Sequence, residues 1–179
     1  MIDKTSQKIM DSALNLFARY GYKGASAKAI AYEAGFNELT LFRKFKTKRN
    51  LLNEVIAQNT KKFKREYFEL MVDEDFDDTR KFLKSTIRKI AKITDDNIEY
   101  IRLTVFEKLG EHEPLEDIMP HLVSFMGKNI KNEKIDILSF TLTITGAFIM
   151  LSNNRYLGRR TIDQEMFVDL LTNNFLQCI

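Results

Sequence analysis

Apolar residues return at helical spacing along nearly the whole chain, and no stretch sustains the period of two that a half-buried strand requires. Ile9, Ala13, Leu16, Phe17 and Tyr20 share one face of a first helix, which Gly21 stops. No proline precedes Pro114, and no Asn-Gly or Asp-Gly pair marks a hairpin. Ser26 is placed to cap a short helix from Ala27 to Ala34 that Gly35 ends, and Asn37 to cap another from Glu38 to about Phe45. Thr47 then starts a long fourth helix with Leu52, Val55, Ile56, Phe63, Tyr67 and Leu70 on one side. Beyond the acidic run Asp73–Asp78 the spacing predicts helices over about 77–94, 96–109, 114–130, 133–156 and 163–177. The expected fold is all-α, with about nine helices.

A chain of 179 residues is long enough to bury a core without covalent staples. Its one cysteine, Cys178, excludes an intramolecular disulfide and a cysteine-based zinc site, which suits a reducing compartment. The polar run Ile2 to Lys8 is unlike a signal peptide. The longest nearly uncharged apolar run, Ile137 to Leu151, is 15 residues and contains Ser139, Thr141, Thr143 and Thr145. A membrane span needs roughly 20 predominantly apolar residues, so this run reads as a buried helix and the chain as a soluble cytoplasmic one. Charge is unevenly spread. The first 50 residues hold ten Lys/Arg against four Asp/Glu, net +6, while the remaining 129 hold 18 against 21, net −3. A basic N-terminal module on a mildly acidic body calls for a polyanionic partner. The expected division is therefore 1–50 and 51–179.

The second and third helices carry the chemistry. Gly35 can close a helix in the left-handed conformation at no steric cost, Asn37 restarts the chain as a cap, and apolar Phe36 plugs the angle between them. Two short helices joined by so tight a turn form either an ordinary helical corner or a helix-turn-helix, whose second helix would lie in the DNA major groove.

The segments Leu16-Phe17-Ala18-Arg19-Tyr20-Gly21-Tyr22, Ile30-Ala31, Ala34-Gly35-Phe36-Asn37, Thr40-Leu41-Phe42, Phe45 and Thr47-Lys48, with the spacing between them, resemble the TetR family of transcriptional repressors. The resemblance covers roughly residues 8–56; the rest agrees only in helix count and length. It implies a homodimer whose N-terminal modules bind a palindromic operator in double-stranded DNA, and a small molecule in the C-terminal domain that releases the DNA. Thr40 and Lys48 match the family's phosphate-contacting positions in type and place. Three positions depart. Leu39 stands where a small residue, often Gly, is usual; Phe42 replaces Tyr and loses the phenolic donor; Lys44 replaces a frequent aromatic.

From their own chemistry, Arg43 is the best base reader available, since its fork matches the O6/N7 edge of guanine. Leu39 suits a thymine methyl, and Lys44 a phosphate. Glu38 repels phosphate, yet suits a helix start and can accept from cytosine. Ser26, Asn37 and Lys46 complete the candidate DNA-binding set, whereas Ile30, Leu41 and Phe45 are core. Lys61, Lys62, Lys64 and Arg65 form a solvated face.

In the body, Phe63, Tyr67, Tyr100, Phe106, Met119, Phe125 and Phe148 are candidates for lining an apolar ligand pocket between helices. Helix 133–156 is apolar nearly all round, and with the last helix offers Leu142, Gly146, Ala147, Met150, Phe167 and Leu171 as a dimer interface. Helix four starts at Lys48 and passes Tyr67, so it joins the DNA-binding and ligand sites through one element. No nucleophile–base pair or metal-ligand set is found, so neither catalysis nor a cofactor is expected. The Asp73, Asp75, Asp77 spacing imitates a calcium loop, but Asp78 occupies the turn-glycine position and Lys84 that of the bidentate Glu. His112 among Glu107, Glu111 and Glu113 lacks a second His at ligand spacing, and Cys178 lacks an activating partner. The alternative function is a DNA-bound adaptor whose body binds a protein.

Overall fold

The computed structural model describes residues 2–72, 76–106, 116–130 and 135–177. Among them it has nine α-helices, one π-helical stretch and no strand, the all-α architecture that the periodicity implies. The acidic residues Asp73 and Asp75, His112 with its glutamates, and Cys178 lie outside the described residues. The chain divides into two units, Met1–Lys62 with Glu99–Pro114, and Phe63–Ile98 with Leu115–Ile179.

In the first unit, α1 (Lys4–Gly24) is capped by Asp3, whose carboxylate accepts from the Thr5 and Ser6 amides. Gly21 breaks it with φ 73°, ψ 165°, the stop the sequence implies, and a last turn follows. Ser26 caps α2 (Ala27–Glu33) by accepting from the Ala29 amide at 3.1 Å. Asn37 caps α3 (Glu38–Phe45), and α4 (Lys48–Leu70) follows after two residues. Ile9, Ala13, Leu16, Phe17, Ile30, Leu41, Phe45, Leu51, Leu52 and Val55 pack as one core, joined by Leu103. Burial of these faces is what makes such short helices persist, since α2 and α3 alone are below the length that is stable in water. The expected helix over 96–109 is instead a single turn, α6 (Ile98–Ile101), continued by a π-helical stretch over Arg102–Phe106.

In the second unit, α5 (Thr79–Asp96) packs on α8 (Ile137–Tyr156) and α9 (Gln164–Leu176), and α7 (Ile118–Asn129) packs on α8. Asp78, Asp136 and Asp163 cap α5, α8 and α9 through their side chains. The ends of α5 and α8 are tied by Arg155, which donates to both Asp95 oxygens at 2.6 and 2.7 Å, and by Ser152, which also donates to Asp95. Arg88 forks onto Glu165 of α9. Helix α8 is 20 residues, long and apolar enough by length and composition to cross a membrane. Its burial is one-sided. Phe140, Thr141, Ile144, Phe148 and Leu151 are buried, while Leu138, Leu142 and Met150 are about half exposed.

Candidate nucleic-acid interface

The turn between α2 and α3 is built as its residues require. Gly35 has φ 80°; its amide donates to the Tyr32 carbonyl at 3.0 Å, and the Phe36 amide reaches back to Ala31 at 2.8 Å. That pair of bonds closes α2 with a left-handed residue that a side chain would strain. Phe36 is half-buried against the module's core, and Asn37 Oδ1 accepts from the Thr40 amide at 2.8 Å and the Thr40 hydroxyl at 2.9 Å.

This cap sets the exposed side of α3. Leu41 and Phe45 point inward, leaving Glu38, Leu39, Phe42, Arg43 and Lys44 exposed, with Leu39 at 77 %. Arg43 has no hydrogen-bond or ion-pair partner among the described residues, so its donors are available. Thr40 is half-buried and its hydroxyl hydrogen is committed to Asn37. A phosphate contact by Thr40 therefore requires that hydrogen to turn away from the cap.

Two cations behave in ways the sequence does not announce. Lys44 Nζ lies 3.0 Å from Asp3 Oδ2, so the end of the third helix is paired with the start of the first. Hydrogen bonds from Ser6 and then from Lys44 hold the Asp3 carboxyl well below the usual carboxylate range. Lys48, half-buried at the start of α4, donates to the Tyr22 carbonyl at 2.9 Å and the Ala25 carbonyl at 3.1 Å. Its Nζ also stands 4.4 Å above the Tyr22 ring. The ammonium thus satisfies carbonyls at the broken end of α1, where a cation is electrostatically favoured. Lys46, exposed between α3 and α4, has φ 66°, ψ −50°, and the Thr47 amide donates across it to the Phe45 carbonyl at 2.8 Å. This is a strained γ-turn, unusual for a residue with a side chain.

The pocket candidates separate. Phe63, Tyr67, Met119, Phe125 and Phe148 belong to the second unit, Tyr100 and Phe106 to the first. Phe63, Tyr67, Phe125 and Phe148 are buried; Met119 is half-buried and Phe106 is 43 % exposed. The Tyr67 hydroxyl bonds to His121 Nδ1 at 2.9 Å, and burial pushes its phenol pKa up. Tyr100 bonds to the Thr60 hydroxyl at 2.8 Å, and burial likewise raises it. Two grooves of about 390 and 340 Å³ lie beside Leu70 and α5. The larger is lined by Lys81, Lys84, Ser85, Arg88 and Lys89 among others, and neither includes any of the seven candidates.

Of the interface candidates, Leu142, Gly146 and Met150 recur at four-residue spacing as an exposed stripe of α8. Leu142 and Met150 are 49 % and 51 % exposed, and a Cβ added to Gly146 would meet nothing within 4 Å among the described residues. On α9, Phe167 and Leu171 are half-buried beside Met166 and Leu170, which are 61 % and 48 % exposed.

Residues 9–55 match the family model described as bacterial regulatory proteins, tetR family. A curated relative, the uncharacterized HTH-type transcriptional regulator YvkB of Bacillus subtilis (strain 168), is 36 % identical over 56 residues, which are 31 % of this chain and 30 % of that protein. Among solved structures, the transcriptional regulator FadR from Bacillus subtilis in complex with stearoyl-CoA aligns with a TM-score of 0.66 at 17 % identity, covering 93 % of this chain and 95 % of that one. AibR in complex with isovaleryl coenzyme A and operator DNA aligns with a TM-score of 0.73 at 14 % identity, covering 94 % and 96 %. These likenesses carry the fold through the whole chain, whereas the sequence kinship lies in the helix-turn-helix. The N-terminal module, residues 9–55, is thus that of the tetR family of bacterial regulatory proteins.

Proposed function

We propose that the chain is a ligand-responsive transcriptional repressor, without catalytic activity, that binds a palindromic operator as a homodimer. The observation that carries this reading is the outward set of α3, with Leu39 and unpaired Arg43 on a helix capped by Asn37 in a module of net charge +6. Phosphate contacts from Ser26, Lys46 and Lys48 position such a module, and base contacts by α3 specify the sequence. The half-exposed apolar face of α8 and α9 supports dimerisation, because a monomer gains nothing from leaving such a patch in water. A two-fold pair of modules matches a two-fold DNA site.

The inducer is an amphipathic acyl thioester of coenzyme A. Two proteins of the same fold hold stearoyl-CoA and isovaleryl coenzyme A, and the aromatic candidates of the second unit would suit an acyl chain only once their packing opens. Ligand and DNA then oppose each other through one conformational equilibrium, with a coupling typically of about 1–3 kcal/mol. The adaptor alternative draws support from one observation. Phe63, Tyr67, Phe125 and Phe148 are each at most 4 % exposed and line neither groove, the closed core that a body without a small-molecule pocket would have.

The test is fluorescence anisotropy of DNA from the chain's own upstream region, titrated with the protein and then with stearoyl-CoA, isovaleryl-CoA and free coenzyme A. Release by an acyl-CoA but not by coenzyme A is expected. Release by polar metabolites alone would overturn the ligand class, and indifference to every small molecule would favour the adaptor.

A further inference from the structure

Of the four acids in the basic N-terminal module, Asp11 and Glu33 bond to neutral amides, those of Gln7 and Asn15. Asp3 differs, because its two oxygens have separate tasks. Oδ1 accepts from the Thr5 and Ser6 amides at 3.1 and 3.2 Å and so caps α1. Oδ2 accepts from the Ser6 hydroxyl at 2.8 Å and from Lys44 Nζ at 3.0 Å. Lys44 belongs to the exposed side of α3, where a seated duplex would bring a phosphate. The cap needs only an oxygen acceptor, which Asn or Ser would supply as well. The negative charge of Asp3, which the start of α1 also favours, therefore has a second task at Lys44.

We propose that Asp3 is a specificity-determining residue, whose carboxylate occupies Lys44 until a DNA phosphate takes its place. This rests on the DNA-binding reading above. Binding to arbitrary sequence is almost wholly an exchange of phosphate counterions for protein cations. A lysine already neutralised adds little to that exchange, because handing it to a phosphate leaves Asp3 to gather a new counterion. Loose docking on the wrong sequence thus gains nothing from Lys44. Close seating on the operator, fixed by base contacts, brings a phosphate near enough to displace the carboxylate. The Asp3–Lys44 pair lowers background affinity without removing a contact from the specific complex.

The experiment measures binding of a random-sequence duplex across a salt series for the wild type, Asp3→Asn, Lys44→Met and the double variant, with Asp3→Ser as a second cap-preserving change. Thermal melting shows that each variant is folded. Asp3→Asn is expected to bind random duplex about two- to fivefold more tightly, the range of an exposed ion pair. Its plot of log K against log salt steepens by about 0.9, the contribution of one further phosphate contact. In the Lys44→Met background the same change has no effect. An equal gain in both backgrounds would overturn the proposal, since Asp3 would then act as a free-standing charge, and so would no gain in either. A wild type that binds no duplex at any salt is a distinct result, which overturns the DNA-binding reading itself.

Discussion

The Lys48 ammonium donates to the Tyr22 carbonyl at 2.9 Å and stands 4.4 Å above the ring of the same residue. With the Ala25 carbonyl at 3.1 Å, it fastens the start of α4 to the chain just beyond the break at Gly21. A residue that the sequence offers as a phosphate contact is also a fastening inside the module. Lys48→Ala should cost about 1–3 kcal/mol of unfolding free energy, the worth of charge-assisted hydrogen bonds. Urea denaturation reads that cost, and anisotropy should show affinity falling equally for all DNA sequences. Unchanged stability would mean that the two carbonyls are equally well served by water.

The Asn37 cap makes a separable prediction. Asn37→Ala removes the acceptor for the Thr40 amide and hydroxyl and should cost about 1 kcal/mol. Asn37→Asp keeps the cap, so its stability should stay close to wild type while a second carboxylate beside Glu38 weakens DNA binding. Urea midpoints and duplex titrations of the two variants distinguish folding from electrostatics.

Lys46 sits at φ 66°, where glycine carries no Cβ penalty. Lys46→Gly should therefore be more stable than Lys46→Ala by about 1 kcal/mol, reversing the usual order of those two residues. The comparison cancels the lost charge, which both variants share. Equal melting temperatures would show that the γ-turn costs nothing.

How far the site was legible depends on how local its causes are. Caps at Ser26, Asn37 and Thr47 and the stop at Gly35 act within four residues of chain, so the boundaries of α2 and α3 follow from the sequence nearly to the residue. The Asp3–Lys44 pair joins residues 41 apart, and the Lys48 bonds span 26 and 23, so no local pattern encodes them. The π-helical turn at Arg102–Phe106 was equally hidden. Its apolar spacing suits an ordinary helix, and a distant contact, Arg102 Nε donating to the Ala18 carbonyl at 2.8 Å, accompanies the change. In α8 the composition announced an apolar helix but not which side would be left uncovered.

That uncovered side gives the test of assembly. A Cβ at Gly146 meets nothing within 4 Å among the described residues, so Gly146→Leu should leave the stability of the isolated chain close to wild type. Packed against a second copy, the added bulk should cost about 1–3 kcal/mol and shift sedimentation towards monomer, with loss of operator binding. A variant that sediments as a full dimer would place the interface elsewhere.

If α3 reads DNA, Arg43 is the side chain whose loss should show it. Wild type and Arg43→Ala are compared, at one salt concentration, on a duplex enriched from random sequence by the wild type and on each of its single-base variants. Arg43→Ala should lose about 1–3 kcal/mol on the enriched duplex and become indifferent to one base pair in each half-site, with discrimination elsewhere retained. An Arg43→Ala protein with unchanged affinity and unchanged base preference would mean that Arg43 reads no base.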